Sequence, residues 1–374
     1  MVRSTIARVD LNALRHNFAA IRQYLASEPT DQPGGGQRAQ PPRIIAVVKA
    51  NAYGHGAQRV AGALEQAGVR VPVLVFGALS VSDLDGLFEY SLTPTISTPG
   101  AAKAVHAAAV KRGSTIGYHL KIDTGMNRLG FRHDNLRRML PEVLASDHLR
   151  LEGVFTHFAS ADEPQSPVFN TQRERFNAAY DVVASGFSRK GPPEGGHYVM
   201  KHASNSAALL RDSRVWYDAV RPGLLLYGIV PPPLASTIPL RPVMSLTSRV
   251  VAVKGIRPGE GVGYGLRFAA ETPRTIAVIP AGYADGLDTR LCGRGQVLIR
   301  GRRVPIVGAV SMDMITVDVT DAGEVQPGDE VVLLGRQGEE SWQQIDAREV
   351  AAAIGTIPWE IVCRLGTRIE RHYD

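Results

Sequence analysis

The chain has 374 residues, of which 44% are hydrophobic, enough for a sizeable core and for more than one domain. Its formal net charge of +6 is interspersed with acidic residues, and the densest basic group, Arg300 with Arg302 and Arg303, sits in a Gly-flanked turn, so no nucleic-acid partner is expected. No run of about 18 apolar residues is there to cross a membrane, the start MVRSTIARVDLNAL has no apolar leader segment, and two cysteines, Cys292 and Cys363, make no disulfide framework, which together fit a reducing cytoplasm.

Taken in chain order, the first signal is PTDQPGGGQRAQPP (Pro29–Pro42), a Pro/Gly-rich surface insertion. Seven apolar, strand-like runs follow: IIAVV (44–48), VLVFGA (73–78), TPTIS (93–97), IGYHLKI (116–122), LEGVFTH (151–157), YVMKHA (198–203) and YDAVRPGLLLYGI (217–229). Between them lie Ala-rich segments with apolar residues at helical spacing, such as AQRVAGALEQAG and AAKAVHAAAVKRG. Seven or eight βα units in this length predict an α/β domain of the (β/α)8 TIM-barrel type over residues 11–240. Pro231, Pro232, Pro233 and Pro239 mark a linker. Beyond it the texture is strand-like, with one helix expected at 346–354, so residues 241–374 read as a C-terminal β-rich domain, joined by an N-terminal strand within 1–10. No internal repeat is visible.

In such a barrel the active site lies at the C-terminal ends of the strands. Lys49 follows IIAVV, Arg128 follows KIDTG, His157 ends LEGVFT, Asn205 and Ser206 follow YVMKHA, and Arg221 follows YDAV. Each alone has an ordinary structural explanation: a solvated lysine, a satisfied histidine, or Ser206 as a helix N-cap. Their convergence is what points to chemistry. A lysine against a low-dielectric wall has a lowered pKa and can attack a carbonyl. Backbone N–H groups near Ser206 and along Arg221–Leu224 offer donors to a phosphate. A lysine for an aldehyde and amides for a phosphate describe pyridoxal 5′-phosphate (PLP).

At these residues the chain resembles the alanine racemases. VVKANAYGHG (47–56) is similar to their PLP-lysine motif, and HLKIDTGMNRLG (119–130), GVFTHFA, ASNSAA (203–208), VRPGLLLYG (220–228), GYADG (282–286) and VGAVSMD (307–313) match in order. The resemblance implies a homodimer that interconverts L- and D-alanine, supplying a peptidoglycan precursor or serving alanine catabolism. It implies that Lys49 carries PLP and is the base on one face. Tyr53, Asn205, Ser206 and the backbone of Gly223 and Leu224 hold the phosphate end, and Arg221 faces the pyridine nitrogen. Arg128 and the backbone of Met312 hold the substrate carboxylate. Tyr283, from the other subunit, is the base on the opposite face, with His157 bridging it to Arg221. Lys121, seven residues before Arg128, is expected to be carbamylated; no metal is implied. Inversion through a planar carbanion needs a proton donor on each face, and lysine and tyrosine, with ordinary pKa values near 10, must both be tuned downward.

Two positions depart from the pattern: Thr367 stands where some relatives carry a tyrosine on the cofactor, and Ala309 where some carry an arginine at the channel mouth. Three other readings share the lysine motif. A lone-barrel PLP carrier lacks a β domain with Tyr283, and the surroundings of Cys363 do not match a decarboxylase of this architecture. A broader alanine/serine racemase is separable by a substrate panel.

Overall fold

The computed structural model describes residues 4–27, 40–70, 72–80, 84–188, 199–338 and 342–374. Most of the expected insertion, residues 29–39, lies outside these. Parallel strands build the N-terminal domain: Arg43–Ile44, Ala219–Val220, Met200–His202, Leu149–Phe155, Ile116–Asp123, Thr93–Ile96 and Leu74–Val75 are hydrogen-bonded neighbours in that order. Each pairing along this path is parallel. Among the described residues no ladder joins Leu74–Val75 to Arg43–Ile44. The two amphipathic segments read from the sequence are the helices Ala57–Gln66 and Pro99–Lys111.

Of the seven runs, 217–229 departs from expectation. Only Ala219–Val220 is strand; Pro222 and Gly223 break it, and Leu224–Tyr227 forms a 3-10 turn. All four residues of that turn are buried, so no periodicity marked them as helical. Ile44 ends its short ladder early, yet the register continues through Ile45 N–H to Val220 O (2.8 Å) and Val47 N–H to Pro222 O (3.2 Å). These two bonds deliver the chain to Lys49 alongside Arg221.

The second domain is built on an antiparallel sheet, ordered Ala252–Ile256, Arg274–Ile279, Ile315–Asp318, Arg302–Val307, Gln296–Ile299, Glu330–Gln337 and Met244–Arg249, beside a small hairpin of Gly261–Val262 with Phe268–Ala269. The N-terminal strand Ile6–Val9 adds antiparallel to Met244–Arg249 and pairs in parallel with the C-terminal strand Glu370–Tyr373. Two helices interrupt the domain, where one was expected. Ala347–Ile354 is capped by Asp346, whose carboxylate accepts from the N–H of Arg348 (2.8 Å) and Glu349 (2.9 Å). Pro358–Cys363 is the unexpected one; six residues are too short to show a period.

The helix Leu11–Ser27 ties the two parts together. Its Leu14 and Ile21 share an apolar cluster with Leu225 of the barrel and Leu246, Ile299 and Val331 of the sheet. Inside it, buried Asn17 donates to Leu226 O (3.0 Å) and Arg241 O (2.7 Å) and accepts from Arg241 N–H (2.7 Å), so no buried amide is left unpaired.

Candidate active site

Lys49 begins an unusual turn. Ala50, Asn51, Ala52 and Tyr53 all have left-handed φ between 51° and 56°. Each L-residue in this region costs about 1 kcal/mol or more, and strain of this kind persists only where the surroundings over-determine it. Internal bonds hold it: Ala52 N–H to Val48 O (2.9 Å), Gly54 N–H to Ala50 O (3.0 Å) and Gly56 N–H to Asn51 O (2.9 Å). Buried His55 adds its Nδ1–H, 2.9 Å from both Ala52 O and Tyr53 O. The turn projects Lys49 into a cavity of about 1330 Å³ at the barrel mouth and tucks Tyr53 beneath it.

That cavity is lined by Lys49, Tyr53, Lys121, Arg128, His157, Asn205, Ser206, Arg221, Gly223 and Leu224, so every barrel residue singled out from the sequence meets there. Burial, then the Arg128 guanidinium, lowers the Lys49 amine, with Arg221 acting the same way. Its Nζ lies 5.8 Å from the Tyr53 ring centroid. Burial raises the Tyr53 phenol, which therefore stays protonated as a donor.

Ser206 is not the N-cap that its sequence context predicted. Asn205 takes that place, its Oδ1 accepting from Ala208 N–H (2.9 Å), and Ser206 is the first helical residue. The Ser206 hydroxyl oxygen instead accepts from Gly223 N–H (2.9 Å) and Leu225 N–H (3.4 Å). Its own proton is then available to an anion. A Cβ at position 223 would lie 2.5 Å from the Tyr53 hydroxyl, so any larger residue there displaces Tyr53. Tyr53, Ser206 and the Gly223–Leu224 backbone thus converge on one small polar cradle.

Arg221 is 2% exposed and its hydrogen-bond partners are all neutral. It donates to Thr156 O (2.9 Å), Ala203 O (2.7 Å), His202 Nδ1 (2.8 Å) and, at 3.4 Å, His157 Nδ1. Burial lowers its pKa to about 9, which leaves a cation with undiminished field. Since arginine only donates, His202 Nδ1 must accept, and the His202 proton sits on Nε2, 2.9 Å from His119 Nδ1. Burial and Arg221 push His157 and His202 well below their ordinary range. His119 and His202 were not anticipated; the signal was a polar residue on the inward-facing alternation of an otherwise apolar strand, as with His119 and Lys121 in IGYHLKI.

Lys121 is 4% exposed, lies 5.7 Å from the Phe155 ring centroid, and has its pKa lowered to about 8 by burial, then Arg128 and Arg221.

Tyr283 and Met312 do not line this cavity. They lie on the β domain, where Tyr283 N–H donates to Ser311 O (3.0 Å) and Ala284 N–H to Met312 O (3.0 Å). Both are exposed, Tyr283 by 46% and Met312 by 52%. The same rim carries Tyr264, which sequence reasoning overlooked: it is 78% exposed, and the preceding Gly263 packs on Ala309 of the Met312 loop.

The model of the alanine racemase N-terminal domain matches residues 9–71 and 61–231, and that of the C-terminal domain residues 243–373. The chain belongs to the alanine racemase family. The alanine racemase of Carboxydothermus hydrogenoformans is 39% identical over the full length of both chains. Among solved structures, alanine racemase from Bacillus anthracis with bound L-Ala-P superposes with a TM-score of 0.81 at 32% identity, covering 100% of this chain and 96% of that one. The Bartonella henselae alanine racemase with covalently bound pyridoxal phosphate gives 0.83 at 27% identity, with full coverage of both. The enzyme therefore interconverts L- and D-alanine, on the barrel-plus-β architecture read from its sequence. The departures stand out against that background: Thr367 is exposed and does not line the cavity, whereas Trp359 does.

Proposed function

We propose that the enzyme racemises alanine with PLP held on Lys49, a two-base device built from the barrel of one subunit and the β domain of its partner. The observation that carries this reading is a lysine of lowered pKa at a cavity whose far walls are a polar cradle and a buried, uncompensated arginine. The cradle of Tyr53, Ser206, Asn205, Gly223 and Leu224 fits a phosphate, and the covalently bound cofactor of the Bartonella enzyme supports it. Bound PLP acidifies the α-hydrogen by drawing electron density into its ring.

The chain's own residues do the rest. Arg221 presents N–H groups to the pyridine nitrogen and, being unable to deliver a proton at neutral pH, leaves that nitrogen unprotonated. This limits charge build-up in the ring and so discourages side reactions. Arg128 and the Met312 N–H of the partner hold the carboxylate. A carbamylated Lys121 would turn a buried amine into an anion facing Arg128; the lowered pKa supplies the neutral amine that carbamylation needs. Lys49 moves the proton at one face.

The opposite face belongs to a rim tyrosine of the partner. Tyr283 is the choice from the sequence. Tyr264 is a second reading, favoured by its greater exposure on the same rim. The rim's exposed Tyr264, Leu266, Met312 and Met314 support a homodimer that covers it. We place the domain boundary near residue 240.

Purified protein given L-alanine should form D-alanine in a PLP-dependent manner, and borohydride reduction followed by peptide mapping should put the cofactor on Lys49. Label on another lysine would overturn the assignment. L-serine in parallel tests for broader specificity.

A further inference from the structure

The strained turn after Lys49 is held from outside as well as from within. The C-terminal strand Glu370–Tyr373 belongs to the β domain, yet its side chains reach the barrel: Arg371 donates Nε–H to Gly54 O at 2.9 Å. Its remaining donors anchor it at home, to Leu365 O (2.7 Å), Gly366 O (2.8 Å) and Ile369 O (2.8 Å). A planar five-donor fork is suited to gripping four carbonyls at once. Gly54 is also pressed by the helix Pro358–Cys363, since a Cβ at Gly54 would lie 2.3 Å from Val362 O. The strand's last tyrosine, Tyr373, stacks under Arg59 of the following barrel helix at 5.5 Å.

We propose that Arg371 is a positioning residue for the cofactor lysine: through Gly54 it locks the left-handed turn 50–53 and so fixes the direction of Lys49 and Tyr53. Four residues of L-configuration in the left-handed region relax toward right-handed backbone unless something outside opposes it. Relaxation swings Lys49 out of the cavity and Tyr53 away from Gly223. The β domain of the same chain thereby pre-organises the site in its own barrel, a task separate from the rim it offers to a partner.

The inference rests on Lys49 as the cofactor lysine. The test uses full-length Arg371→Met and Arg371→Lys, with Gly54→Ala as an independent push on the same turn from the Val362 side. Hydrogen–deuterium exchange of the apoprotein over residues 49–56 should quicken in Arg371→Met and Gly54→Ala. PLP affinity should fall about tenfold, the loss of one charge-assisted bond. Arg371→Lys, which keeps a donor but not the fork, should fall between them and wild type. Exchange in the core strand 116–123 should stay at the wild-type level. Unchanged exchange at 49–56 and unchanged PLP affinity in folded Arg371→Met overturn the proposal; so does quickened exchange spread over the whole chain in all three variants. Wild-type label away from Lys49 after borohydride reduction would instead remove the premise.

Discussion

Arg221 is buried among neutral acceptors, and the consequence reaches beyond catalysis. Burial and Arg221 hold His119 down at about 4, against an ordinary 6.5. A folded pKa below the unfolded one means the unfolded chain takes the proton first. Stability is then full above about pH 6.5, falls as the pH drops toward 4, and levels off below that. His119→Gln should therefore flatten the acid side: the difference in unfolding free energy between pH 7.5 and 5 should shrink by roughly 2 kcal/mol. Urea titrations at the two pH values measure it, and an unaltered difference would mean that His119 has the same pKa folded and unfolded. Lys121 allows a second check at this scale. Intact mass at neutral pH in bicarbonate should show a labile CO2 adduct that Lys121→Met lacks. These residues differ in how readable they were. Lys121 and Arg128 stand in a recognisable motif, whereas the His119–His202 contact joins positions far apart in sequence and forms across the intervening strand Leu149–Phe155.

At the scale of elements, the turn after Lys49 is the feature least visible in the sequence. KANAY has the composition of an ordinary helix start, and nothing local demands left-handed backbone; the constraint comes from Val48 O, His55 and the C-terminal strand. Ala50 is exposed with φ 51° and ψ 50°. Glycine there removes the steric cost at the expense of about 0.5–1 kcal/mol of backbone entropy, so Ala50→Gly should be neutral or stabilising by up to about 1 kcal/mol. Ala50→Val should cost about 1 kcal/mol or more, since a β-branched side chain tolerates this region worst. Urea unfolding of the apoproteins decides; a clear loss in Ala50→Gly would contradict the left-handed turn. The run 217–229 teaches the opposite lesson. Its Pro222-Gly223 pair marked the break, but uniform burial of Leu224–Tyr227 erased the periodicity that separates strand from helix. Most barrel strands were legible because they are short apolar runs, several of them leading into a polar residue such as Lys49, His157 or Asn205.

For the whole molecule, the proposed two-base scheme requires the cavity that holds Lys49 to receive a second base from outside it. Lys49 opens into the barrel mouth, while Tyr264, Tyr283 and Met312 stand on the β-domain rim, outside that cavity and exposed. A two-fold dimer resolves this if each barrel mouth receives its partner's rim, giving two composite sites. Lys49→Ala and a tyrosine→Ala variant are each inactive in that arrangement. When they exchange subunits, a mixed dimer has one site with both lesions and one with neither. Random exchange makes about half the dimers mixed, each with a single working site, so about a quarter of wild-type activity should return. The experiment is run twice, with Tyr264→Ala and with Tyr283→Ala. The partner tyrosine that acts as base shows the quarter recovery from a dead start. The tyrosine that only shapes the rim leaves residual activity before mixing, and its Phe variant still exchanges the α-hydrogen of both enantiomers with solvent deuterium. Native mass spectrometry establishes that mixed dimers formed. No recovery in either mixture, with mixed dimers present, would return both bases to one chain and end the composite-site scheme.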